Sequence, residues 1–323
     1  MKAAVLKQLQ APLKVEQVPL PTTPSGFVQV KVLTAGLNRR DYYITQGQYA
    51  KIILPAILGS DGCGWCADQE VILQPGFHWG NNPSFQDSTY QILGMPTQGT
   101  LAEYVNVPLD HIYPKPAHLS SEEAAAIPLA GLTAYRAVFT KAKVVSGDRV
   151  LITGIGGGVA LMAMQFCLVS GADVYVTSSD QTKIDNAVAL GCQNGVLYTG
   201  KDWGVNLHQL SGGIDKVIDG SGGQSFNQVV DALRPGGIIV IYGGSAGKIE
   251  VSPQKLFWKQ ITVSGTTMGT PDEFKQMLDF ISTHNIKPVL DNVYDLEEVN
   301  MALERLKSNQ QFGKIIIRIN PKA

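Results

Sequence analysis

Val150-Leu-Ile-Thr-Gly-Ile-Gly-Gly-Gly-Val-Ala160 reads as an apolar strand that runs into a glycine turn and then into a helix. Gly154, Gly156, Gly157 and Gly158 let the backbone turn tightly and come close to a pyrophosphate. The charge of that group then rests on the open N–H groups of the helix that follows, expected over Leu161 to Val169 with Gly171 at its end. A glycine cluster alone is more often an ordinary turn; a strand before it and a helix after it make this one a dinucleotide site. The match to G-x-G-x-x-G/A is degenerate, because Ile155 takes the place of a first glycine if Gly157 and Ala160 are the second and third. Gly156, Gly157, Gly158 and Val159 are the residues expected around the pyrophosphate.

The next strand, Asp173 to Thr177, bears on which dinucleotide binds. An enzyme preferring NAD places Asp or Glu at the end of this strand to hold the ribose 2′-hydroxyl, and here the position is Ser178. Ser178, Ser179 and Lys183 offer two hydroxyls and an ammonium to a 2′-phosphate, with Asp180 turned to solvent, so NADPH is the expected cofactor. The competing reading is that Thr177-Ser-Ser-Asp180 only caps a helix and Lys183 sits on its solvated face.

A chain of 323 residues is long enough for two domains. Charged residues make up 16%, below the usual ~25%, which favours burial of surface between subunits. The net charge is −1 and there is no Lys/Arg run, so nothing attracts nucleic acid or an anionic membrane. Met1-Lys-Ala-Ala-Val-Leu-Lys-Gln8 lacks the apolar stretch of a signal peptide, and the helix after the glycines falls short of the ~20 residues that span a bilayer; a cytosolic location is expected. The four cysteines, 63, 66, 167 and 192, make no disulfide framework. Cys63 and Cys66 have C-x-x-C spacing, but in strand and turn they project to opposite faces, which argues against a redox or metal role.

Residues 1 to about 118 read as strands and turns, with period-two alternation over Val28–Leu33 and Ala102–Val107 and prolines that forbid long helices. At Ser120-Ser-Glu-Glu123 a capping box opens an alanine-rich helix, after which strands and helices alternate. The strands expected are Arg149–Thr153, Asp173–Thr177, Gly195–Tyr198, Lys216–Ile218 and Gly237–Tyr242, rich in Val and Ile as in a buried parallel sheet. Thr270-Pro-Asp-Glu273 and Asp295-Leu-Glu-Glu298 start two more helices, and Lys314–Ile319 is a last strand.

Beyond the glycine turn, Ala35-Gly-Leu-Asn38-Arg-Arg-Asp41, Leu58-Gly-Ser-Asp61-Gly62, Gly99-Thr-Leu-Ala-Glu-Tyr104, Pro128-Leu-Ala-Gly-Leu-Thr133-Ala134, Arg234-Pro-Gly-Gly237 and Gly313-Lys-Ile315 run along nearly the whole chain. In these the sequence resembles the medium-chain dehydrogenase/reductase superfamily, and its details resemble the zinc-free quinone oxidoreductase branch. The resemblance implies an α/β protein: a Rossmann doubly wound parallel sheet over residues 123–267, and a β-rich GroES-like catalytic domain over residues 1–122 that residues 268–323 complete. The positions that hold catalytic zinc in relatives correspond to Asn38, Ser60 and Leu129, which are not a competent ligand set. The histidines at 78, 111, 118, 208 and 284 show no ligand spacing and are expected in loops or at the surface.

By the same resemblance Asn38, Tyr43 and Tyr49 line the substrate and nicotinamide side, and Thr133 contacts the nicotinamide. Tyr198 edges the adenosine phosphate, while Ser221, Tyr242, Gly243, Gly244, Met268 and Gly269 border the cofactor; Asp41 anchors its loop. The implied activity is reduction by NADPH, without zinc, of a small quinone or an α,β-unsaturated carbonyl, since hydride delivery to these needs less help than alcohol oxidation. Two alternatives are a 2-enoyl thioester reductase and a non-catalytic NADPH-binding regulatory protein. A homodimer is expected, with the apolar edge strand Ile261–Gly265 near the contact. Two departures stand out: the segment after Gly62 is shorter than the family pattern, as if a hairpin were deleted or a loop omitted, and residues 77–94 make a long loop that covers the cleft or meets a subunit.

Overall fold

The strand Phe27–Gly36 is half-buried at its start and buried on both faces from Val32 to Gly36, and it is the axis of the N-terminal part of the molecule. The computed structural model describes residues 1–320 and divides into two units, one of Met1–Leu132 with the chain from Met268 onward, the other Thr133–Thr267. The N-terminal strands are β1 (Lys2–Leu6), β2 (Lys14–Gln17), β3 (Phe27–Gly36), β4 (Ala56–Ile57), β5 (Asp61–Cys66), β6 (Gln69–Leu73), β7 (Gly76–Phe77), β8 (Gln91–Ile92), β9 (Tyr104–Pro108) and β10 (Ile112–Pro114). Helix α1 (Arg39–Thr45) follows β3, and α2 (Ser121–Ala125) and α3 (Pro128–Tyr135) follow β10. The Ser120 box forms as expected: Ser120 Oγ accepts the Glu123 N–H at 3.1 Å, and the Glu123 carboxylate accepts the Ser120 N–H at 2.8 Å. Thr34 Oγ1 donates to Ser121 O at 2.7 Å, so α2 belongs to the first unit and the division falls after Leu132, not at 122.

The segment after Gly62 is a complete strand, turn and strand. β5 and β6 pair antiparallel as far as Cys66 and Gln69, with only Ala67 and Asp68 between, and Ala67 takes φ 49° to close the turn. The short segment is therefore closed by a two-residue turn. In the long loop, β7 pairs with β8, and Trp79 is buried with its ring edge-on to Tyr90 at 5.4 Å. His111 is also a correction: it is buried, Nε2 lying 3.0 Å from Gly76 O and the ring edge-on to Phe77.

The second unit is a six-stranded parallel sheet. Its strands are β11 (Arg149–Ile152), β12 (Asp173–Ser178), β13 (Asn194–Leu197), β14 (Ile214–Asp219), β15 (Leu233–Ile241) and β16 (Thr262–Gly265). They lie in the order β13-β12-β11-β14-β15-β16, so the direction of winding reverses beside β11, between it and β14. The connecting helices are α4 (Gly158–Val169), α5 (Gln181–Ala189), α6 (Trp203–Ser211), α7 (Phe226–Ala232) and α8 (Pro253–Lys259). Leu151, Val217 and Ile239 from the sheet close with Trp203, Leu207, Phe226 and Val230 into an apolar core.

The chain then returns to the first unit through α9 (Pro271–Thr283), β17 (Leu290–Asp295), α10 (Val299–Lys307) and β18 (Lys314–Arg318). β18 lies between β3 and β17, antiparallel to the first and parallel to the second. The largest sheet of this unit therefore runs β10-β6-β5-β3-β18-β17, with β9 also paired to β3. Its core joins Val30, Val32, Leu73, Val105, Ile315 and Ile317.

Candidate active site

In the second unit the glycine turn lies at the switch point of the sheet. Gly154 and Gly156 have φ of 65° and 118°, which side chains other than glycine rarely adopt. Gly157, at φ −81° and ψ 155°, caps α4, so the helix opens at Gly158 and not at Leu161. A Cβ placed on Gly157 would meet nothing within 4 Å, and Gly157, Gly158 and Val159 are only half-buried. The turn thus presents an open helix N-terminus above free space, a cradle that fits a pyrophosphate.

A buried carboxylate holds the next loop to this turn. Asp219, at the end of β14, accepts from Thr153 Oγ1 at 2.5 Å and from the Ser221 and Gly222 N–H groups at 3.1 and 3.0 Å. Thr153 Oγ1 accepts in turn from Gly220 N–H at 3.1 Å. Tyr242 N–H donates to Asp219 O at 2.9 Å, and burial, with the nearby Asp219 carboxylate, pushes the Tyr242 phenol up. A Cβ on Gly243 would come within 2.9 Å of Gly220 O, so the loops after β14 and β15 touch through their glycines.

At the end of β12, Ser178 is buried and its Oγ accepts the Asp180 N–H at 3.1 Å, leaving its O–H hydrogen to donate. Asp180 caps α5, accepting the Thr182 N–H at 2.9 Å. The Asp180 carboxylate is thus the cap of α5, as the competing reading has it, while Ser178 precedes it in the strand. Ser179 is exposed and Lys183 half-buried on the first turn of α5. Tyr198 is exposed beyond β13, its N–H bonded to Ser178 O at 3.0 Å. Thr133 is buried in this unit, whereas Met268, at φ 45°, and Gly269 belong to the first.

In the first unit Asn38, Ser60 and Leu129 each make hydrogen bonds within the protein. Asn38 Nδ2 donates to Asp61 Oδ2 at 2.8 Å, and Leu129 N–H donates to Asp61 Oδ1 at 2.8 Å. Ser60 Oγ accepts from Arg40 Nη1 at 2.5 Å and donates to Leu93 O at 2.8 Å. Lys314 Nζ forms an ion pair with Asp61 at 2.8 Å. Two cations and an amide thus occupy the neighbourhood where a zinc ion would need thiolate, imidazole or carboxylate. These residues do not fit the metal, and among the described residues no group of three or more His, Cys, Asp or Glu comes together to hold one.

Asp41 anchors as expected: its carboxylate accepts the N–H groups of Asn38 at 2.8 Å and Gly59 at 3.1 Å. Burial pushes its carboxyl up, with Arg40 and the two N–H donors acting against this. Tyr43 is half-buried on α1, and the Tyr49 ring faces the Arg40 guanidinium at 5.3 Å. Sequence reasoning missed Asp61, Lys314, Arg40, Thr153 and Asp219 as site residues. A signal existed for Asp219, which ends the apolar run Val217-Ile218 at the close of an expected strand.

Family models for the alcohol dehydrogenase GroES-like domain and for zinc-binding dehydrogenase match residues 24–117 and 158–283. The zinc-type alcohol dehydrogenase-like protein YogA of Leptosphaeria maculans is 32% identical, covering 97% of this chain and 96% of its own. The chain belongs to the medium-chain dehydrogenase/reductase superfamily. Among solved structures of similar proteins, an NAD-dependent alcohol dehydrogenase superposes with a TM-score of 0.94 at 34% identity, over 99% of this chain and all of the other. The quinone oxidoreductase of Thermus thermophilus, solved also in complex with NADPH, gives 0.83 at 27% identity over 99% of this chain and 100% of its own. As a medium-chain dehydrogenase/reductase the chain is an oxidoreductase with a nicotinamide dinucleotide site in its Rossmann unit. No helix of the described residues is long and apolar enough to cross a membrane.

Proposed function

We propose that this chain is an NADPH-dependent, zinc-independent reductase of small quinones or α,β-unsaturated carbonyls. One observation carries the reading: at the positions corresponding to zinc ligands, Asn38 and Leu129 are bonded to Asp61, with Lys314 on Asn38, and Ser60 is bonded to Arg40. Without a Lewis acid an alcohol keeps its high pKa, whereas an activated double bond needs only positioning and modest stabilisation of charge on oxygen. One similar structure is an NAD-dependent alcohol dehydrogenase and another is a quinone oxidoreductase solved with NADPH, so the choice of cofactor rests on the end of β12 in this chain. There Asp180 is engaged as a helix cap, and Ser178, Ser179 and Lys183 offer donors to a 2′-phosphate.

A bound reduced nicotinamide supplies a hydride. Gly156, Gly157, Gly158 and Val159 would hold its pyrophosphate at the N-terminus of α4, and Tyr198 would edge the adenosine phosphate. Ser221, Tyr242, Gly243, Gly244 and Thr133 of the second unit would border the rest of the cofactor. As hydride adds to the β-carbon of an enone, the carbon–carbon π pair moves toward the carbonyl oxygen. Asn38, Tyr43 and Tyr49 donate hydrogen bonds to that oxygen as it gains charge, and water then protonates the α-carbon. A quinone takes the hydride and one proton from water, and its two carbonyl oxygens end as the hydroxyls of a hydroquinone.

The working form is a cytosolic homodimer in this proposal. β16 is the open edge of its sheet, and Trp258 (78% exposed), Phe257 (57%) and Val263 (41%) lie on or beside it. The test of function is NADPH oxidation against a panel of quinones and a panel of alkenals. Turnover with either supports the proposal; tight NADPH binding with no turnover refutes it in favour of a regulatory protein.

A further inference from the structure

Asn38 belongs to a closed buried network drawn from four distant parts of the chain. Its Nδ2 donates to Asp61 Oδ2 at 2.8 Å, and its Oδ1 accepts from Lys314 Nζ at 2.8 Å. The ammonium also donates to Leu37 O at 2.9 Å and to Asp61 Oδ2 at 2.8 Å, so its three hydrogens are all engaged. Asp61 Oδ1 takes the Leu129 N–H at 2.8 Å. Asp61 is 0% exposed, Lys314 4% and Asn38 8%, so water competes little for these bonds.

The two charges fix the amide in one orientation. Turned by half a revolution, it would set its oxygen against the Asp61 carboxylate and its nitrogen against the Lys314 ammonium, both repulsive. In the orientation seen, one Nδ2 hydrogen goes to Asp61 and no described residue takes the other. The cation at the amide oxygen draws electron density away from the nitrogen, which makes the second hydrogen a better donor. A donor held still and polarised in advance is what charge developing on an oxygen requires.

We infer that Asp61 and Lys314 are positioning residues that aim the second amide hydrogen of Asn38 at the oxygen of the substrate carbonyl or quinone. The inference rests on the function proposed above, because it needs an acceptor with such an oxygen. It assigns the buried pair a role in the turnover rate beyond tying β18 to β5 across β3.

The test uses the full chain with NADPH and an acceptor that the wild type reduces. Lys314→Met should lower kcat by about 10²–10³-fold, the range for loss of one oxyanion donor. KM and the NADPH dissociation constant should stay within about threefold, since contacts common to ground and transition state remain. Lys314→Arg, which keeps a cation and its donors, should recover at least about tenfold of the loss. The neutral double variant Asp61→Asn/Lys314→Met guards against misfolding from a stranded carboxylate, and should lose kcat as the single variant does.

Turnover near wild type in either Lys314→Met background overturns the inference, as does a loss confined to cofactor binding. In the wild type, the Asn38 side-chain amide signal, assigned by its loss in Asn38→Asp, should shift when a non-reducible carbonyl competitor binds. An unmoved signal under saturation overturns the inference without any variant of the pair. A wild type that reduces no acceptor refutes the parent function, and the inference falls with it; an active wild type matched by its Lys314 variants refutes the inference alone.

Discussion

Gly157→Ala separates cofactor binding from folding more cleanly than any other change at the glycine turn. Gly157 sits at φ −81° and ψ 155°, angles an alanine adopts without strain, and its Cβ would meet no atom within 4 Å. The protein without cofactor should therefore lose no stability, and gain up to about 1 kcal/mol from the stiffer unfolded chain. With cofactor the methyl group intrudes on the space over the α4 N-terminus, and the dissociation constant for NADPH should rise about 100-fold, equivalent to about 2.7 kcal/mol. Urea unfolding with and without NADPH reads both quantities. At a concentration 100 times the wild-type dissociation constant, ligand should stabilise the wild type by about 2.7 kcal/mol and the variant, now half-saturated, by only about 0.4 kcal/mol. Equal stabilisation of the two proteins would refute the placement of the pyrophosphate. Gly156→Ala, at φ 118°, should instead destabilise the protein even without cofactor, by about 1–3 kcal/mol.

Four further outcomes follow from the same geometry. Asp219→Ala leaves Thr153 Oγ1 and the Ser221 and Gly222 N–H groups without their acceptor, and should cost at least about 3 kcal/mol in urea unfolding. Lys183→Glu should weaken NADPH more than tenfold, about 1.4 kcal/mol, with little change for NADH, and equal losses for the two cofactors would remove the 2′-phosphate argument. Dialysis against a chelator should leave reductase activity unchanged, whereas one tightly held zinc per chain by elemental analysis would contradict the reading of Asn38, Ser60 and Leu129. Trp258→Glu combined with Val263→Lys should turn a dimer into a monomer by light scattering, and a wild type already monomeric at micromolar concentration would dispose of the interface at β16.

Short-range chemistry made the nucleotide unit legible in the sequence. Val-rich and Ile-rich strands, a glycine turn and capping residues act within a few positions of one another, so the alternation from Arg149 onward needed no knowledge of distant contacts. The first unit was harder to read, because its sheet depends on pairings that alternation does not specify. Nothing in Lys314–Arg318 says that this strand inserts between β3 and β17, and without that placement Lys314 is only a lysine before three isoleucines. Asp61 appeared within a recognised motif, but its partners lie 23 residues away at Asn38 and 253 away at Lys314. His111 was misread for a related reason: a polar residue in a turn looks solvated until Gly76 and Phe77 fold over it. The start of α4 was displaced because glycine is a poor helix former, yet Gly158 begins the helix where backbone approach, not propensity, decides.

Placing β18 beside β3 ties competence to the timetable of translation. Lys314 follows Asn38 by 276 positions, so a ribosome has delivered every strand of the Rossmann sheet before the cation that pairs with Asp61 emerges. A nascent chain can close its contiguous nucleotide unit while the amide of Asn38 still turns freely beside an unpaired carboxylate. Premature termination upstream of residue 314 would then release a polypeptide able to sequester dinucleotide yet unable to use it.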